Sequence, residues 1–74
     1  MTSLNVDRIL QMLEWIGNGE ARQIRVRSGL SATQVASALE VTQPAVSRWE
    51  MGVRLPRGAN ARKYADLLHK LNGI

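Results

Sequence analysis

The sequence predicts a small all-α protein of five short helices, and three observations point there. Apolar residues recur at helical three-and-four spacing along most of the chain. No alternating run is long enough for a half-buried strand, and there is no Phe. Gly17-Asn18-Gly19, Ser28-Gly29 and Asn72-Gly73 punctuate the periodic segments, as helix ends require. With 74 residues the chain makes one domain, residues 1–74, whose small core gains from oligomerisation.

The first helix is expected over roughly Leu4 to Ile16, with Val6, Ile9, Leu10, Leu13 and Ile16 in one apolar stripe that Met12 and Trp15 widen. Residues 1–19 are read as a helical extension on a core of residues 20–72. The second helix covers about Glu20 to Arg27, with Ala21, Ile24 and Ser28 facing inward. Ser31-Ala32-Thr33-Gln34 fits a capping box, in which the Ser hydroxyl and the Gln side chain satisfy backbone donors at one helix start. The third helix begins there and buries Val35, Ala36 and Leu39; Ala36 is small enough for a neighbour to cross closely. Thr42 suits the next N-cap and Pro44 the first turn, where a missing N–H does little harm. This fourth helix, about residues 43–51, turns Val46 and Trp49 inward and stops near Gly52. A loop over Val53–Gly58 leads to a last helix from about Ala59 to Leu71, with Ala61, Tyr64, Leu67, Leu68 and Leu71 on one face.

Charge divides the chain. Residues 1–20 carry a net −2 and residues 21–74 a net +6, and eight of the ten basic residues are Arg. A small basic domain favours polyanions, and Arg suits phosphate and guanine better than Lys does. The absence of Cys removes disulfides and thiolate metal sites and suits a reducing cytoplasm. No membrane span or signal peptide is expected, and no cofactor or metal. With one His and six scattered carboxylates, no catalytic constellation assembles, so no enzyme is expected. His69 reads as a solvated neighbour of Asp66. The pair of short helices with a tight turn, followed by an Arg-bearing loop, has the form of a helix-turn-helix, whose second helix enters the major groove of DNA.

Several residues match one family in register. Leu30-Ser31 stands at the turn into the motif, Ala36 at its small position and Val46 at its buried aliphatic position. Trp49-Glu50-x-Gly52 closes the second helix and Gly52-x-Arg54-x-Pro56 forms the loop beyond it. On these positions residues 22–71 resemble the DNA-binding domains of lambdoid phage repressors and Cro proteins. That resemblance implies a five-helix, lambda-repressor-like bundle that binds a double-stranded operator as a homodimer. It implies a transcriptional regulator, a repressor or Cro-like switch of a phage, mobile element or bacterium. It also implies an internal ion pair between Arg25 and Glu50.

Base reading is expected from the exposed start of the second motif helix, with Gln43, Pro44, Ser47 and Arg48. Gln can take adenine N6/N7 and Arg guanine O6/N7, each bidentately. Phosphate contacts are expected from Ser31, Thr33, Arg54, Arg57 and Arg22. Two positions depart from the family pattern. Ala32 stands where many members carry a phosphate-contacting Gln, and Glu40 stands where many carry Gly in the tight turn, at a strain of about 1 kcal/mol.

The family's dimers usually meet through the last helix and the segment after it, and here little chain lies beyond Leu71. The stripe Val6, Ile9, Leu10, Leu13 and Ile16 therefore has three readings: core packing, a dimer face, or a face for another protein, as in an antitoxin. A DNA-bending architectural role is disfavoured, because no apolar wedge is evident.

Overall fold

A computed structural model describes residues 3–73, as five helices: α1 (Ser3–Gly17), α2 (Glu20–Arg27), α3 (Ala32–Leu39), α4 (Gln43–Glu50) and α5 (Gly58–Asn72). The two long helices, α1 and α5, pack on each other, and α2 lies against both. α3 and α4 pair closely with each other and meet the rest of the core through α3 against α5 and through Trp49 of α4 against Tyr64 of α5. All five helices feed one core, in which Met12, Ile24, Val35, Val46, Tyr64 and Leu68 are the largest fully buried side chains.

The first helix sits at a different rotation from the one its stripe suggests. Met12 is fully buried and Ile16 nearly so, Ile9 and Leu13 are half-buried, and Val6 and Leu10 point outward at 51% and 59% exposure. Trp15 explains the rotation. Its ring packs on His69 of α5 at a centroid distance of 5.1 Å, which turns Met12 rather than Leu10 toward the core. Ile16 therefore belongs to the interior and is unavailable to a dimer or partner face. His69 likewise departs from its reading as solvated: its ring packs on Trp15 and its Nε2 is buried. Asp66 instead accepts a hydrogen bond from Arg8 of α1 at 3.0 Å. Ser28 is exposed rather than inward, and its hydroxyl donates to the Ile24 carbonyl at 2.8 Å, closing α2 locally.

Three successive helices end in the same way. Each terminates in a left-handed residue, with the next N–H reaching back five positions: Leu30 to Arg25, Val41 to Ala36 and Val53 to Arg48. Gly29 and Gly52 supply two of these positions, at φ 76° and 71°. Glu40 supplies the third at φ 59°, as the departure from glycine foreshadows. A Cβ in that conformation carries a strain of about 1–2 kcal/mol. Its carboxylate stands 3.8 Å from Lys63 of α5, a surface pair that offsets little of that strain. The helix starts follow the side-chain pattern. Ser31 accepts from the Gln34 N–H while the Gln34 side chain accepts from the Ser31 N–H, and Thr42 accepts from the Ala45 N–H.

The polar tie across the core is between Arg25 of α2 and Glu50 of α4. Arg25 Nε and Nη2 donate to the two carboxylate oxygens at 2.5 and 3.1 Å, and Nη1 donates to the Leu30 carbonyl at 2.9 Å. The two side chains are only 13% and 6% exposed. The bond to Glu50 raises the Arg25 pKa further above its ordinary value. Tyr64 lies beside this pair, its ring 5.0 Å from that of Trp49. Burial, reinforced by the Glu50 charge, pushes the Tyr64 phenol well above its ordinary value.

Glu50→Ala leaves a guanidinium buried without its partner and should lower unfolding free energy by about 3–5 kcal/mol in urea titrations. Arg25→Ala should do the same, with the double variant losing less than the sum of the two. Tyr64 is the only tyrosine, so phenolate absorbance reports on it alone. In the unfolded chain it ionises near 10.0, whereas in the fold it holds its proton above that. The unfolded state therefore binds fewer protons above about pH 10, and stability falls as pH rises there. Phenolate absorbance and loss of helical circular dichroism should rise together in an alkaline titration. Ionisation of Tyr64 in a chain still fully helical would contradict the buried phenol.

Candidate nucleic-acid interface

α4 has two faces with different duties. Val46 and Trp49 fix its inner side in the core, and Glu50 is held by Arg25. The opposite side carries Gln43, Pro44 and Arg48, all exposed, with Ser47 half-buried at the edge. These are the residues expected to read bases, and the fold brings all four to one surface at the first two turns of α4. Gln43 Nε2 donates to Ser47 Oγ at 2.5 Å, across one helical turn. Gln43 is thereby braced, yet its second amide hydrogen and its Oε1 remain to face a partner.

The residues expected at phosphates are more dispersed. Ser31 and Thr33 are exposed at the start of α3, although the Ser31 oxygen already accepts the capping bond. Ala32, at the family's glutamine position, is half-buried against the core and presents no polar group. Arg54 and Arg57 are exposed in the loop after α4. That loop is anchored at both ends. The N–H groups of Val53 and Arg54 both donate to the Arg48 carbonyl, at 3.0 and 3.4 Å, and Pro56 is buried. Arg22 is exposed on α2, outside the two-helix unit.

Ion pairing separates the basic residues into two groups. Among the described residues, Arg8, Arg25, Arg27 and Lys63 have carboxylate partners. Arg22, Arg48, Arg54 and Arg57, the four expected to face DNA, have none, and neither do Arg62 and Lys70 of α5. The charge open to an external anion is therefore carried mainly by α2, α4 and the loop beyond it, with a smaller share on α5.

That loop also exposes apolar side chains that no sequence pattern singles out. Met51, Val53 and Leu55 are exposed, Val53 at 72%. Met51 caps the end of α4, while Val53 and Leu55 lie outside any periodic segment, so no helical pattern flags them; the signal is the apolar–basic–apolar run between Gly52 and Pro56. Among the described residues no helix is long and apolar enough to cross a membrane.

Comparison with known proteins agrees with the two-helix geometry. Residues 22–70 match the helix-turn-helix family, a stretch that runs from α2 nearly to the end of α5. No curated protein and no solved structure matches the chain significantly. The family match covers most of the chain and contains the α3–α4 unit, so the chain belongs to the Cro/C1-type helix-turn-helix family of DNA-binding transcription regulators.

Proposed function

We propose that the chain is a sequence-specific regulator, a repressor or Cro-like switch, that occupies a double-stranded operator in the cytoplasm and acts there as a homodimer. One observation carries this reading: α4 exposes Gln43, Pro44 and Arg48 on one side while Val46, Trp49 and Glu50 hold the other side rigidly. A helix that reads base edges needs such a fixed, polar outer face.

In this reading Arg48 takes guanine O6/N7 in the major groove. Gln43 donates its free amide hydrogen to adenine N7 and accepts from adenine N6–H with Oε1, while its other amide hydrogen is held by Ser47, so Ser47 positions Gln43 more than it reads a base. Pro44 offers only apolar contact, suited to a thymine methyl. Arg54 is tied through its backbone to the Arg48 carbonyl and lies on the phosphates flanking the same groove, with Arg57, Arg22, Ser31 and Thr33 as further phosphate contacts. Two copies would place half-sites about 10 base pairs apart, centre to centre.

Selection of sites from a random duplex library tests the reading, which expects an enriched palindrome with that spacing. Salt-sensitive binding without enrichment would remove the sequence-specific role. On the selected site, Arg48→Ala should weaken binding by about 1–3 kcal/mol and relax preference at one base pair. A uniform loss across sequences would move Arg48 to the phosphates. Arg54→Ala should weaken all sequences alike and reduce the slope of log affinity against log salt by about one.

A further inference from the structure

Six carboxylate side chains are present in the chain, and four of them are paired within the fold. Among the described residues Asp7 and Glu14 have no basic partner, and both are exposed on α1. Helical spacing puts them on the same side of α1 as Leu10, one turn before it and one turn after it. Leu10 and Val6 are the exposed apolar residues of that helix. α1 thus presents an apolar ridge edged with negative charge.

The other half of the surface lies next to it. A groove runs between α1 and the loop after α4, with Ile9 and Leu13 on one wall, Val53 and Leu55 on the other, and Arg54 and Arg57 on the rim. Gly52, at the start of that loop, sits close enough to α1 that a Cβ there would be 3.9 Å from Ile16 Cγ2. The groove is apolar inside and positively edged. Ridge and groove are adjacent on one chain and complementary in both polarity and charge. Two copies related by a twofold axis satisfy both at once, each ridge in the other's groove, as an isologous interface requires.

We propose that this composite surface is the homodimer interface, with Val6 and Leu10 of one copy seated between α1 and the 53–57 loop of the other, and with Asp7 and Glu14 facing the partner's Arg57. The proposal deepens the dimeric reading of operator binding and rests on it. Arg57 stands at the α5 end of the loop, away from α4, and is the rim charge that the ridge meets. Arg54, bonded through its backbone to the end of α4, stays on the DNA side, and this interface takes Arg57 out of the phosphate contacts assigned above.

Sedimentation equilibrium of the full chain without DNA tests it. The wild type should show a concentration-dependent monomer–dimer equilibrium. Leu10→Glu should raise the dimer Kd about tenfold or more with the helical circular dichroism unchanged, since Leu10 is exposed. Asp7→Lys with Glu14→Lys should weaken the dimer severalfold, and adding Arg57→Glu to the same chain should recover part of that loss. A wild type that stays monomeric at every concentration overturns the proposal and leaves the surface to a different protein. So does a Leu10→Glu variant that dimerises like the wild type, or a charge reversal that Arg57→Glu fails to rescue. Binding to a single half-site separates this from the function itself. Leu10→Glu should bind one half-site as the wild type does. If neither binds any duplex, the operator reading has failed, whatever the sedimentation shows.

Discussion

The guanidinium of Arg25 is shared among three parts of the chain. It donates to Glu50 on α4, to the Leu30 carbonyl in the turn before α3, and it stems from α2. Apolar contacts such as those of Val46 and Trp49 hold α4 down but tolerate rotation about its axis. A planar fork gripping a carboxylate does not, because both bonds lengthen when the helix turns. The direction in which Gln43 and Arg48 point is therefore set on the far side of α4, by a pair almost sealed from water. Such a pair contributes little net stability compared with well-packed apolar residues. Its value here is directional.

Stability has to come from the apolar core, which all five helices share and which α1 enlarges. The family match begins at Arg22, yet Met12 and Ile16 lie in the same core as Ile24, Tyr64 and Leu68. The two fifteen-residue helices form the platform on which the eight-residue helices rest. The α3–α4 pair needs such a base, because short helices are marginal without tertiary packing.

Much of this was legible in the chain because short-range chemistry dictates it. The caps at Ser31 and Thr42, the inward Val35, Ala36, Leu39, Val46 and Trp49, and the helix stop near Gly52 each depend on residues within a turn or two. The Arg25–Glu50 pair spans 25 positions and was expected only through resemblance to the family. The errors cluster where two helices decide each other's rotation. In α1, seven apolar residues between Val6 and Ile16 allow several faces, and the choice depends on Trp15 meeting His69 from α5, 54 positions away. No pattern within α1 carries that information. The exposed Val53 and Leu55 escaped for the opposite reason: a loop has no period against which an apolar residue looks misplaced.

The Arg48 carbonyl accepts from both Val53 and Arg54, so the last turn of α4 and the loop beyond it form one mechanical piece. These two bonds are the route by which a contact on that loop would reach α4, and by which a shift of α4 would reach the loop. Linkage makes such an effect reciprocal: a contact that favours one base sequence must itself be favoured by that sequence. In the proposed dimer the operator would then act as an effector of assembly, with DNA sequences that demand a slightly different tilt weakening the association between chains without touching it.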